Sequence, residues 1–148
     1  MTSYNKLDPQ KVEYMVVQCA ATRPSMDVGV KEIKRWHLQR GFFDVGYHYV
    51  IRRDGTVEKG RPDDQPGAHV SGFNSRSLGI CMVGGVTEKD VNKAEDNFTE
   101  AQWASLKEVL TKLRGTFPKA AIVGHRDLAR GKACPSFDVK TKLKELGL

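Results

Sequence analysis

The sequence predicts a single α/β domain, with a central mixed sheet flanked by about three helices. Three observations predict it. Apolar, strand-like runs at 11–19, 77–85 and 120–123 are separated by stretches of helical periodicity near 28–39 and 99–114. Two β-rich runs, 47–53 and 56–59, meet at Asp54-Gly55, a strong hairpin signal. No repeat, low-complexity tract or composition shift divides the 148 residues, a length that one core can serve without staples.

Each element follows from its residues. Lys11 to Cys19 turns apolar through Tyr14, Met15, Val16 and Val17, as a central strand buried on both faces does. Gln18 interrupts that run. A primary amide there must find partners or face a cavity, and the plain reading is a satisfied strand-end Gln. After Thr22-Arg23-Pro24-Ser25 a helix is expected from Val28 to Gln39, capped by Ser25 or Asp27 and ended by Gly41. Val30, Ile33 and either Trp36 or His37 form its stripe, with His37 expected to be exposed or at a groove edge.

In the hairpin, alternation puts Tyr47, Tyr49 and Ile51 on one face and His48, Val50 and Arg52 on the other. On that pattern only one of Tyr47 and His48 faces a given pocket. The stretch 60–77 is rich in Pro, Gly, Asp and Ser without a period, and a loop so long is usually functional. Its His69 and polar neighbours such as Asn74 are placed to line a groove. Ser77 to Gly85 reads as a second buried strand, with Cys81 as a small core residue. Thr99 and Gln102 form a capping-box pair with Phe98 and Trp103 as staple. Trp103, Leu106, Leu110 and Leu113 then make a buried stripe ended by Gly115 and Pro118. Ala120 to Val123 is a short strand, and Asp138 caps a last helix carrying Val139, Leu143 and Leu146.

Composition narrows the function classes. The 39% hydrophobic and 28% charged content is ordinary for a globular chain. A net charge of +6 favours an anionic partner: nucleic acid, cell-wall polymer or membrane surface. The basic residues are spread out, with no aromatic-basic platform and no Arg-loaded helix, so direct nucleic-acid recognition is not expected. No run is long enough to span a bilayer, and a membrane role is not expected either. Met1 to Gln10 has no apolar h-region and reads as a tail rather than a secretory signal. Three cysteines at unpatterned spacing argue for a reducing cytosol and against a disulfide framework. A monomer is expected.

The segment from His125 through Lys132 to Cys134-Pro135 carries the clearest chemistry. Gly124 and Gly131 bracket it as a loop leaving a strand. Imidazole and thiolate are both good zinc ligands, and a cation beside a Cys favours the thiolate. Two ligands do not make a site, and this spacing matches no structural zinc knuckle. A solvent-facing His with a buried Cys, or a Cys134–His125 nucleophile pair, stays open on these residues alone.

Several segments together resemble the zinc N-acetylmuramoyl-L-alanine amidases of the peptidoglycan-recognition fold, and within them the small phage lysozymes of the T-seven type. They are Asp44-Val45-Gly46-Tyr47-His48-Tyr49-Val50-Ile51, Arg53-Asp54-Gly55-Thr56-Val57-Glu58 and Asn74-Ser75-Arg76-Ser77-Leu78-Gly79-Ile80. Val83-Gly84-Gly85, Asn97-Phe98-Thr99-Glu100-Ala101-Gln102 and Lys132-Ala133-Cys134-Pro135-Ser136-Phe137-Asp138 follow in family order. The resemblance implies a cleft enzyme that cuts the amide between the lactyl group of N-acetylmuramic acid and L-alanine. It implies a zinc ion held by two His and one Cys, with one position open for water. Carried over by position, His125 and Cys134 are metal ligands, Tyr47 stands beside the metal, and Lys132 stabilises the oxyanion. His69, Asn74 and His48 are the implied substrate-side residues.

The family's first ligand is a His near the end of the first strand, and Gln18 stands there. Three explanations are open: Gln18 inactivates the site; zinc binds weakly through His125, Cys134 and Gln18 or water; or His48 substitutes. The leading expectation is a phage endolysin, made in the host cytoplasm and acting on the wall after release at lysis. The alternatives are a peptidoglycan binder that does not cut, and a regulator that binds the phage RNA polymerase, with Met1 to Gln10 as part of its surface.

Overall fold

The computed structural model describes residues 7–129 and 131–148. The two apolar runs become β1 (Tyr14–Cys19) and β4 (Ser77–Met82), which lie side by side in parallel at the centre of a five-stranded sheet. With β2 (Tyr49–Ile51), β3 (Val57–Lys59) and β5 (Ala121–Gly124) the strand order is β3-β2-β4-β1-β5. Only β3 runs antiparallel, at the edge, as the second arm of the Asp54-Gly55 hairpin. The mixed α/β architecture is the one expected.

Helix α1 (Val30–Gln39) links β1 to β2, and α2 (Glu100–Thr116) links β4 to β5. Side-chain alternation assigns each helix to its own face. Met15, Val17, Leu78, Ile80 and Met82 cluster with Leu106, Leu110 and Leu113 of α2, and with Val139 of α4 (Val139–Leu146). Val50, Cys81 and Val83 cluster on the other face with Ile33 of α1. Gln18 shares its parity with Val16, away from Met15 and Val17, so it emerges on the α1 face. Because β1 connects across β4 and β4 connects across β1, the carboxyl ends of these two strands form a topological switch point, where open α/β sheets hold ligands.

Several boundaries move for local reasons. Strand β1 starts at Tyr14 rather than Lys11, and β2 at Tyr49 rather than Tyr47. Neither Ser25 nor Asp27 caps α1. Its first amides go instead to carboxylates, Gly29 N–H to Glu32 Oε2 at 2.8 Å and Val30 N–H to Glu58 Oε1 at 2.9 Å, while Asp27 pairs with Arg52 at 3.0 Å. The capping box of α2 forms as expected, with Gln102 N–H donating to Thr99 Oγ1 at 3.1 Å and Thr99 N–H to Gln102 Oε1 at 2.9 Å.

The segment after Gly124, expected as loop, closes one helical turn, α3 (His125–Leu128). Gly124 N–H donates to Asp127 Oδ2 at 2.7 Å, and Ala129 N–H returns to His125 O at 3.0 Å. The expected tail over 1–10 is also corrected at Leu7, which is buried in the α2-side core with its N–H bonded to Asp64 O. Residues 1–6 lie outside the described residues. Among the described residues no helix is long and apolar enough to cross a membrane.

Candidate functional site

Strand register assembles the site at the switch point. Val17 pairs with Gly124, so His125, the next residue after β5, comes level with Gln18 on the neighbouring strand; Cys81 lies opposite Gln18 on the other side. The Cys134 segment is tied in from two directions. Cys19 N–H donates to Cys134 Sγ at 3.0 Å, and Arg126 N–H donates to Cys134 O at 2.8 Å. Gln18, His125 and Cys134, far apart in sequence, are thereby brought to the same end of β1 and β5. Lys132 is exposed, close enough to His125 that its charge opposes imidazole protonation.

Electrostatics at the site keep most groups neutral. Burial, and then Lys132, lower the pKa of His125, leaving its imidazole in the form that can bind a metal. Burial raises Tyr47 well above 10, with the surrounding Cys81, Cys134 and Cys19 adding to the effect. Its phenol stays protonated, a hydrogen-bond donor among three sulfurs. The hydrogen bond from Cys134 brings Cys19 down to about 7, while the same bond and burial push Cys134 up.

Tyr47 packs against the α1-side core although alternation groups it with Tyr49 and Ile51 of the other face, because it precedes β2 and strand geometry does not govern it. The Tyr47 ring lies 5.5 Å from that of His37. His37 is not exposed, as expected from its helix position, but buried, and its Nδ1 accepts the Gly46 N–H at 2.8 Å just before Tyr47. The sequence offered no signal for this beyond an apolar stripe that left Trp36 and His37 as equals. Arg61 was missed as well: it is buried and donates to Val45 O and Pro66 O, both at 2.7 Å, fixing the loop behind Tyr47.

His48 is neither a substrate-side residue nor a substitute ligand. It is fully buried, its Nδ1 accepts from Gly79 N–H at 3.0 Å, and its Nε2 donates to Gln65 O at 2.6 Å. Both nitrogens are taken. Burial brings its pKa down to about 4, against about 6.5 in an unfolded chain. The unfolded state then binds the proton first as pH falls, so stability present at pH 7 is lost between about 6.5 and 4. His48 alone should cost about 2 kcal/mol between pH 7 and pH 5. Urea midpoints at the two pH values will check this, and His48→Gln should flatten the difference.

His69 is buried too, rather than lining an open groove. Its Nδ1 stands 2.6 Å from Gln18 Nε2 and its Nε2 3.4 Å from Ser77 Oγ. Burial first, then His48 and His125, hold its pKa well below 6.5. Neutral His69 accepts the Gln18 amide hydrogen at Nδ1, which places the ring proton on Nε2, toward Ser77. The ring fits because Gly79 has no side chain; a Cβ there would meet His69 Cγ at 2.7 Å. Asn74 points inward as well, its Oδ1 accepting both His69 N–H and Val70 N–H at 2.9 Å. Its observed role is to hold the His69 loop.

The ligand set decides whether zinc fits. Gln18 occupies the first place with a carboxamide, and its nitrogen is committed to His69. Among the described residues no three His, Cys, Asp or Glu side chains come together as a metal-holding group. Two usual donors, His125 and Cys134, are in place; a catalytic zinc takes three. The residues do not make that three-donor centre.

An α/β sheet with His, Cys and Tyr gathered at its switch point has the architecture of the peptidoglycan-recognition amidases. The solved amidase LysC from Clostridium intestinale URNW superposes with a TM-score of 0.77 at 26% identity, covering 99% of this chain and 95% of that one. Residues 8–137 match the N-acetylmuramoyl-L-alanine amidase family, and the chain belongs to that family. It is 53% identical over 135 residues to the endolysin of Enterobacteria phage K11, covering 91% of this chain and 87% of that protein. To the endolysin of Escherichia phage T7 it is 46% identical over 131 residues, covering 88% and 85%.

Proposed function

We propose that this chain is a phage endolysin directed at the amide between N-acetylmuramic acid and L-alanine of peptidoglycan, with a metal centre weakened by Gln18. The observation that carries the reading is the meeting of His125, Cys134 and Tyr47 at the carboxyl end of β1 in a chain of this family. His125 and Cys134 would hold zinc more weakly than three donors, because a neutral amide engaged by His69 is a poor replacement for imidazole. Tyr47, kept protonated by burial, donates a hydrogen bond to the substrate. Lys132, exposed at the rim, offers positive charge to the carbonyl oxygen. The protein is a monomer that leaves the host cytoplasm at lysis, and its charge of +6 assists approach to an anionic wall.

The Gln18–His69 bond favours a second reading, a peptidoglycan binder that does not cut, since it leaves the fold intact while removing a donor. Purified walls separate the two. Falling turbidity with release of new amino termini on alanine supports the amidase. Sedimentation of the protein with walls, with no clearing and no new termini, overturns it in favour of the binder. Inhibition of transcription by the phage RNA polymerase without wall binding marks the regulator instead.

A further inference from the structure

We infer that Cys19 and Cys134 are a redox couple that closes to a disulfide, giving the candidate site a thiol switch. The two residues are 115 positions apart, yet Cys134 Sγ lies 3.0 Å from Cys19 N and 3.8 Å from Cys19 O. The sulfur is thus within about 4.5 Å of the Cys19 Cα, given an N–Cα bond of about 1.46 Å. A bridge needs Cα atoms about 4.4–6.8 Å apart, a spacing that a sulfur this close to its partner's backbone allows.

The surroundings hold both thiols in place. Cys134 Sγ accepts the Cys19 N–H and is itself turned toward Cys19 O. Gly85 leaves room for the Cys19 sulfur: a Cβ there would meet Cys19 Sγ at 2.7 Å. Ser136 Oγ donates to Gly85 O at 2.8 Å, closing the far side of the pair. Cys81, the third cysteine, is fully buried in the α1-side core against Tyr47.

With glutathione disulfide as oxidant the step balances. Cys134, the more exposed of the pair, attacks one glutathione sulfur from its minor thiolate form, releasing the first glutathione thiol. Cys19 then attacks the Cys134 sulfur of the mixed disulfide and releases the second. Two electrons pass from the protein thiols to glutathione, and the products are one intramolecular disulfide and two glutathione molecules. The consequence for the metal rests on the reading of Cys134 as a donor: once bridged, its sulfur has no thiolate left to offer.

Oxidised protein, alkylated in denaturant and digested without reductant, will test this. Free thiols should fall from three to one, and a cross-linked peptide should join Cys19 to Cys134 and disappear with dithiothreitol. Cys19→Ser should retain Cys134 as a glutathione adduct and form no internal bridge. Three thiols remaining, a bridge through Cys81, or a stable glutathione adduct on the unaltered chain each overturns the inference. Peptide mapping depends on neither wall cleavage nor wall binding, so it can fail while the amidase reading stands, and the reverse.

Discussion

Gln18→His is expected to raise bound zinc from well below one equivalent to one equivalent per chain after dialysis, and to bring wall-clearing activity with it. The substitution places an imidazole level with His125 and near Cys134, completing three donors with a fourth position free. Structural zinc sites gain about 10–16 kcal/mol from four donors, so one further donor strengthens binding by roughly 3 kcal/mol, or about 100-fold. Without zinc the variant should be slightly less stable than the parent, because His69 loses the amide hydrogen it accepts from Gln18, at a cost of about 1 kcal/mol. At zinc concentrations near 100 times Kd the order reverses, with about 2.7 kcal/mol of stabilisation and a Tm rise of roughly 5–10 °C at this chain length. Metal analysis and thermal melts of both proteins, with and without zinc, will check it. Equal zinc content and equal Tm response in the two would mean that Gln18 already serves as a full donor.

What was legible in the sequence followed from periodicity and from side-chain chemistry confined to one element. The buried strands around Val16 and Ile80, the Asp54-Gly55 hairpin and the Thr99–Gln102 cap are all local patterns, and all three form. The site was legible only through resemblance, because His125 reaches Gln18 by strand register and Cys134 reaches Cys19 across 115 residues. The errors share a cause. By side-chain chemistry alone His37, His48 and His69 belong near solvent or substrate. Each instead uses a ring nitrogen to satisfy a buried partner: Gly46 N–H, Gly79 N–H with Gln65 O, and the Gln18 amide, respectively. Those partners come from other elements, and a buried neutral imidazole with its nitrogens paired leaves no local pattern.

Gln102→Ala is the second large effect expected, and it is one of stability. The sequence marks Gln102 only as the third residue of a capping box, an interaction worth about 1 kcal/mol at a helix end. In the fold the side chain is fully buried, and each end of its amide has two partners. Oε1 accepts from Thr99 N–H at 2.9 Å and from an Arg53 guanidinium N–H at 3.2 Å. Nε2 donates to Val83 O at 2.8 Å and Ile51 O at 3.2 Å. One side chain therefore ties the start of α2 to the end of β2 and to the chain leaving β4, next to the Gly85 that accommodates Cys19. Truncation leaves two carbonyls and one amide without the side-chain partner they have here, and one fewer acceptor for Arg53, whose ordinary pKa burial already lowers. At about 1 kcal/mol for each bond left unmade, the loss is about 3–5 kcal/mol, a fall in Tm on the order of 10 °C. That equals a Leu→Ala change at a fully buried core position such as Leu110, though no apolar packing is involved. Gln102→Glu separates the contributions: it keeps both oxygen-accepted bonds but offers no donor to Val83 O and Ile51 O. It should therefore fall between the parent and Gln102→Ala at pH 7, where the Arg53 charge compensates the buried carboxylate. If thermal melts place Gln102→Ala within about 3 °C of the parent, water has taken the four bonds and the hub has no energetic weight beyond its cap.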